Sequence, residues 1–463
     1  MKELREEDRI LGRVKRIHMI GIGGSGMCPL AEILHSKGYI LTGSDNNESD
    51  PLSRIRALGI PVTMGHRAEN LRDAELVVYS AAIAPENPEL VEARRRRIPT
   101  MERSHLLGTL TRHFDRVIGV CGTHGKTTVS SMITQILYLS GKDPTAVIGG
   151  KLPLIGSNGR IGKSDLMVCE SCEFVDTFLQ MSPDISVLLN IDNDHLDYFK
   201  TMDRLVASFR KFIAMSKTAF VNGDDRLVMR AAGGISSRVI TFGLGEQNDY
   251  RAVDLIPGKR GYRFTVLHQN EPVGRLELMI PGKHNVMNGL AAFACCNLLG
   301  VPASEIESAL GQFYGAGRRF EFLGEYNGFT LADDYAHHPT EIAATLKAAK
   351  ELDHKRVICV FQPFTYSRTA LLKDDFIRAL KIADQVILTP IMGSREINTY
   401  GISSEDLAAQ LPNSVVIDGF DQIADYVLKT AREGDLVITM GGGDIYKAAH
   451  KIQKKCTGRS QGV

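Results

Sequence analysis

Short runs of apolar, often β-branched residues recur along this chain, each separated from the next by a stretch of helical character. That alternation limits the possible folds more than any other feature. The runs include His18-Met-Ile-Gly-Ile22, Leu76-Val-Val-Tyr79, Val117-Ile-Gly-Val120, Val187-Leu-Leu189, Val357-Ile-Cys-Val-Phe361, Val386-Ile-Leu388 and Leu436-Val-Ile-Thr439. A strand that is apolar at every position has both faces covered, as in parallel sheets flanked by helices. From about Arg238 to Ile280 polar and apolar residues alternate instead, Gly and Pro punctuate the stretch, and no helix intervenes. That segment reads as an antiparallel β insert. With 463 residues the chain has room for about three domains.

The bulk numbers exclude several function classes. Apolar residues make up 43% and charged residues 24%, an ordinary globular mix. The formal net charge of +1 gives no whole-chain pull toward nucleic acid or a membrane surface. The basic run Arg94 to Arg97 reads as a solvated helix end. Met1 to Arg16 is densely charged, unlike a signal peptide, and no apolar run is long enough to span a bilayer. A cytoplasmic protein with no nucleic-acid or membrane partner is expected. The eight cysteines sit mostly in apolar runs, as reduced thiols do. Cys169 and Cys172 form a C-x-x-C, but no second pair follows to complete a zinc site.

Two phosphate-type loops lie about a hundred residues apart, each between a strand and a helix. In the first, Gly21, Gly23, Gly24, Ser25, Gly26 and Met27 form a turn whose amides can approach a pyrophosphate at a helix N-terminus. Asp45, at the end of the next strand, stands where a ribose-binding acid would sit. A dinucleotide or any nucleotide diphosphate could use this loop. The second is Gly122-Thr123-His124-Gly125-Lys126-Thr127-Thr128. Val120 replaces the first glycine of a full Walker pattern. Gly122 and Gly125 still permit a cradle of amides, Lys126 can reach terminal phosphates, and the Thr127 hydroxyl can ligate Mg²⁺.

Further candidates follow strands in the same domain. Glu170 ends the strand Leu166 to Cys169, and His195 sits among Asp192, Asp194 and Asp197. Such residues could hold a hard metal beside a triphosphate. Asn285 and Asn288 share a helix face and could read an adenine edge, or could be an N-cap and a surface residue. Arg318 and Arg319 follow a hinge-like Gly315-Ala316-Gly317 and offer a cation to a transferring phosphate. Asp333-Asp334-Tyr335-Ala336-His337-His338 and Phe361-Gln-Pro-Phe364-Thr365-Tyr366-Ser-Arg368-Thr369 follow apolar strands in the last third.

Together these motifs resemble those of the Mur ligases, most closely the members that add the first amino acid of the peptidoglycan stem. The resemblance runs from about Lys15 to about Ala449 and implies an α/β fold of three domains. These are a Rossmann-like N-terminal domain binding a UDP-sugar (1–112), a central P-loop ATP domain with the antiparallel insert (113–317) and a Rossmann-like C-terminal domain binding the amino acid (318–463). It implies that ATP is held by the loop 122–128 with Asn285, Asn288, Arg319 and Asp334. Mg²⁺, or Mn²⁺, would be held by Thr127, Glu170 and His195. Gly21, Gly23, Gly24, Ser25, Gly26, Met27 and Asp45 would meet UDP-N-acetylmuramate, and Tyr335, His337 and Arg368 would meet L-alanine. Lys126, Glu170, His195 and Arg319 would carry the chemistry, in a monomer or homodimer. The implied reaction joins L-alanine to the lactyl carboxylate through an acyl phosphate. There are two departures. Ser171-Cys172-Glu173-Phe174 replaces the common Ala-Asp-Glu-Ser, and Phe364 stands where alanine-adding members usually have His. The alternative is a sibling ligase that attaches a different amino acid or peptide. An NAD-dependent redox enzyme would leave Lys126, Glu170 and His195 unexplained, and a P-loop switch protein would have little use for the last domain.

Overall fold

The first apolar run becomes the central strand, Arg16–Ile20, of a five-stranded sheet. In spatial order the strands are Val62–Met64, Ile40–Asp45, Arg16–Ile20, Leu76–Tyr79 and Thr100–Glu102, all parallel. After Val62–Met64 the chain crosses to the far side of the central strand. A crevice therefore opens at the carboxyl ends of Arg16–Ile20 and Leu76–Tyr79, the usual ligand position in such sheets. The computed structural model describes residues 5–258, 260–394 and 396–459. The side chains of residues 196, 197 and 459 lie outside the described set, and with them the Asp197 carboxylate expected near His195.

The second sheet has ten strands, and Arg116–Cys121 lies between Ile185–Leu188 and Leu166–Glu170, parallel to both. The strand leading to the second glycine-rich loop is thus flanked by the strands leading to Asn190 and Glu170. Two features differ from the sequence expectation. The strand Arg238–Gly243 is not part of an antiparallel insert. It pairs in parallel with Thr218–Asn222 and is reached through the helix Arg226–Ala232, a right-sized crossover for a βαβ unit. It also pairs in parallel with the start of Tyr250–Pro257. The antiparallel character begins later. Tyr262–His268 and Glu271–Glu277 are joined by Gln269 and Asn270, with φ of 51° and 68°, the two left-handed residues of a tight hairpin. The second difference is an unforeseen antiparallel hairpin, Thr145–Leu152 with Ser157–Arg160, at the other edge.

The third sheet runs Glu321–Tyr326, Phe329–Asp334, Asp435–Met440, Arg356–Phe361, Gln385–Leu388, Ser414–Val416. Only its first pair is antiparallel. The alternate residues of its inner strands enter two cores. Val357, Cys359, Phe361, Leu436 and Ile438 pack on one face, and Ile358, Val360 and Val437 on the other. That double burial is why these strands read as unbroken apolar runs. By internal contacts the chain divides into two units. One comprises Met1–Val253, Thr265–Gly274 and Asn288–Leu310, and the other Asp254–Phe264, Arg275–Met287 and Gly311–Val463. Among the described residues no helix is long and apolar enough to cross a membrane. The eight cysteines are free, and Cys169 turns its thiol to the Ile118 carbonyl inside the sheet.

Candidate active site

The loop 122–125 owes its shape to two glycines and to the neighbouring strand end. Gly122 and Gly125 have φ of 135° and 85°. A Cβ on Gly125 would stand 2.8 Å from Asn288 Oδ1, so side chains are excluded there. Asn190 clamps the loop from the next strand. Its Oδ1 accepts from the His124 amide at 2.8 Å, its Nδ2 donates to the His124 carbonyl at 3.0 Å, and its carbonyl accepts from the Thr123 amide at 3.1 Å. Asp192 donates its amide to Thr123 Oγ1 at 2.9 Å and meets His124 Nε2 at 3.0 Å.

Lys126 and Thr127 open the helix Lys126–Leu139 and reach different carboxylates. Lys126 Nζ lies across the loop and donates to the carbonyls of Gly122 at 2.6 Å and Thr123 at 3.0 Å. It also pairs with Glu173 Oε2 at 3.0 Å. Burial opposes its charge, but the Glu173 carboxylate more than offsets this and holds the ammonium above the ordinary lysine range. Thr127 Oγ1 donates to Glu170 Oε2 at 2.7 Å, and the same oxygen accepts the Gly149 amide at 2.9 Å. Two of the three expected metal ligands are therefore adjacent. The ring of the third, His195, packs on Phe174, 4.8 Å between centroids, and faces Asp194. His195 itself has φ of 55°, and Val175, next to Phe174, has φ of 54°, both in the left-handed region. Glu173 was not singled out from sequence. Its partnership with Lys126 spans 47 positions, and nothing local signals it.

The first glycine-rich loop is built by the same means. Asp45 Oδ2 accepts the Gly23 amide at 2.9 Å, and a Cβ at Gly23 would meet that oxygen at 3.0 Å and Leu52 at 3.1 Å. Asp45 thus shapes the loop through one carboxylate oxygen. The unforeseen hairpin reaches this loop too, for Asn158 Nδ2 donates to the Ser25 carbonyl at 2.7 Å. Between them lies a cavity of ≈ 350 Å³. Its wall runs from Gly24, Ser25, Gly26 and Met27, past Ser80 and Arg103, to Gly149, Cys172 and Glu170. The crevice of the first sheet therefore leads to the Thr127–Glu170 pair. Cys172 in that wall is pushed up to about 11 by burial and by nearby Glu173, so it stays a thiol.

In the second unit several sequence candidates lie at or just beyond the end of the strand Phe329–Asp334. Arg318 and Arg319 look alike in sequence but differ in place. Arg318 Nε bonds Asp333 at 2.9 Å, and its other nitrogens bond the carbonyls of Gly443 at 3.0 Å and Gly441 at 2.7 Å. Both guanidinium groups lie over the Tyr335 ring at 5.0 Å, and that of Arg318 also faces the Tyr446 ring at 4.8 Å, so the hydrogen bonds of Arg318 are what set the two apart. Arg318 is a structural cation. Asp334 is buried, and its oxygens accept the amides of Phe320 at 2.8 Å and Ala336 at 2.6 Å. Burial raises its carboxyl to about 6, against the pull of Arg319 and those amides. A ribose contact there would share these oxygens with the backbone. His337 stands edge-on to Tyr335 at 5.2 Å and to Phe364 at 6.2 Å. Arg368 lies on the short helix Tyr366–Leu371, half-buried. Asn285 spends its amide on the Pro281 carbonyl at 2.7 Å. A third strand–loop–helix junction, Gly441-Gly442-Gly443-Asp444 after Asp435–Met440, was missed from sequence. Its three glycines were the available signal.

Comparison with known proteins gives a consistent result. Three family profiles match in order: Mur ligase family, catalytic domain, over residues 16–115; Mur ligase middle domain over 120–296; and Mur ligase, glutamate ligase domain, over 318–443. A UDP-N-acetylmuramate–L-alanine ligase of Caldanaerobacter subterraneus is 42% identical over 450 residues, covering 96% of this chain and 98% of that one. That of Acetivibrio thermocellus is 43% identical over 451 residues, covering 96% of each. The crystal structure of UDP-N-acetylmuramate-alanine ligase MurC from Thermotoga maritima superposes with a TM-score of 0.83 at 28% identity, covering 96% of this chain and 99% of that one.

Proposed function

The chain belongs to the Mur ligase family, and from that premise we propose that it joins L-alanine to the lactyl carboxylate of UDP-N-acetylmuramate, consuming ATP, in peptidoglycan synthesis. One observation carries the reading beyond likeness. A single cavity runs from the glycine-rich loop of the first sheet to Glu170, whose carboxylate touches the Thr127 hydroxyl of the second. A sugar nucleotide held at one end would present its acid at the other.

The residues support the following division of work. Gly21 to Met27 and Asp45 hold the sugar nucleotide. The amides of 122–128 cradle the triphosphate, and Asn285, Asn288 and Asp334 hold its adenosine. The lactyl carboxylate attacks the γ-phosphorus; an O–P bond forms, the bond to ADP breaks, and an acyl phosphate results. The alanine amine then attacks the acyl carbon, phosphate leaves with the electron pair, and the amine loses a proton. Lys126 and Arg319 offset the charge that gathers during phosphoryl transfer. The hard oxygen donors Thr127 Oγ1 and Glu170 Oε2, 2.7 Å apart, suit Mg²⁺ or Mn²⁺, and His195 would complete the set. When bound, such an ion lowers the repulsion between the carboxylate and the triphosphate. Arg368 suits the amino acid's carboxylate, with Tyr335 and His337 beside it. Domains at 1–112, 113–317 and 318–463 would carry the sugar nucleotide, the ATP and the amino acid in turn. The enzyme would work in the cytoplasm.

An isotope experiment tests the route. With ¹⁸O in the lactyl carboxylate, one label should appear in the inorganic phosphate. Label retained wholly in the amide product and water would refute the acyl phosphate.

A further inference from the structure

One side chain on the open side of the first glycine-rich loop has no place in the roles above. A Cβ at Gly26 would meet Arg103 Cδ at 3.1 Å and its Nε and Nη1 at 3.3 Å. The guanidinium therefore packs closely against the loop. Arg103 is the first residue of the helix Arg103–Arg112, whose first turn carries no acid. A cation there opposes the helix dipole, which favours anions at that end. The N-cap Glu102 does not neutralise it, because that carboxylate is turned to the amide and hydroxyl of Ser104. Among the described residues Arg103 forms no ion pair and no side-chain hydrogen bond. The amides of Ser25 and Gly26, in the same wall of the cavity, likewise donate to no protein group. Of the residues lining that cavity, Arg103 is the one cation and Glu170, toward the Thr127 side, the one carboxylate.

We infer that Arg103 grips the diphosphate of the bound sugar nucleotide, together with the Ser25 and Gly26 amides. An unpaired fork of donors beside two unused amides suits a phosphate oxygen pair. The polarity of the cavity then fixes the direction of the substrate, with its diphosphate at Arg103 and its lactyl carboxylate toward Glu170. The inference rests on the reading that the first domain binds a UDP-sugar.

Calorimetric binding of UDP, UDP-N-acetylglucosamine and UDP-N-acetylmuramate to the full chain tests it, using Arg103→Ala and Arg103→Lys. Loss of a charge-assisted bond to phosphate should weaken all three ligands in parallel by about 10- to 100-fold in Arg103→Ala. Arg103→Lys should recover part of the loss, and the KM for ATP should stay within about twofold of wild type. Unchanged UDP affinity would overturn the inference. So would a loss confined to UDP-N-acetylmuramate, which would move Arg103 to the lactyl carboxylate. A matching loss of ATP affinity and melting temperature would reduce Arg103 to a structural role. If the wild type itself binds none of the three ligands, the UDP-site reading fails, and the inference with it.

Discussion

Removing the Lys126 ammonium should do two separable things. It should abolish turnover, because the charge facing the terminal phosphates is gone. It should also destabilise the fold, because Glu173 is left behind. The Lys126 side chain is 13% exposed and that of Glu173 only 1%. Taking one partner from so buried a pair costs about 3 kcal/mol, and in a domain of this size that lowers Tm by roughly 6–12 °C. Lys126→Ala should therefore melt early. Adding Glu173→Gln to it replaces the stranded carboxylate by a neutral amide of the same shape and should return most of that loss. Turnover should stay down by about 10³ in both variants. Differential scanning fluorimetry at one pH, alongside an ADP-release assay, reads both effects. Lys126→Ala melting with the wild type, or the double variant no more stable than the single, would refute the pairing. Recovered turnover in the double variant would refute the role of the lysine.

Two further predictions follow from named contacts. A Cβ at Gly149 would fall against both carboxylate oxygens of Glu170, closer than side chains pack. Gly149→Ala should therefore shift the Mg²⁺ activation curve for ADP release about tenfold or more to higher concentration, and an unshifted curve would detach Glu170 from the metal. Asp334 titrates at about 6, above its ordinary value, because of burial. A raised carboxyl gives stability that is fully present below its unfolded value, about 3.9, and is lost as pH rises through the folded one. The stability of the wild type relative to Asp334→Asn should thus fall by on the order of 2 kcal/mol between about pH 4 and pH 7. Equal melting-temperature differences at the two ends of that range would show that Asp334 titrates normally.

The parts of this molecule legible in sequence are those whose signal is local. The strand–loop–helix junctions at Gly21–Gly26 and Gly122–Thr128 announce themselves because tight turns need glycine and a lysine at that spacing has little packing use. The apolar runs read as parallel strands because both faces are buried. Pairing is not local. Arg238–Gly243 carries polar residues and follows a loop, so it read as part of an antiparallel insert, although the helix Arg226–Ala232 delivers it in parallel. The hairpin Thr145–Arg160 was hidden by its glycines, Gly149, Gly150, Gly156 and Gly159, which break any alternation. The same limit applied to the site. Arg318 and Arg319 are indistinguishable until Asp333 and the carbonyls of Gly441 and Gly443 claim the first. Glu173 and Arg103 acquire meaning only from Lys126 and Gly26, which folding brings to them.

ADP release in the presence of UDP-N-acetylmuramate and each of a panel of amino acids tests the central claim most directly. Release should be negligible without either substrate. The highest kcat/KM should be with L-alanine, with one UDP-N-acetylmuramoyl-L-alanine formed per ADP. ADP release indifferent to the amino acid, or a clear preference for another amino acid or a peptide, would contradict it.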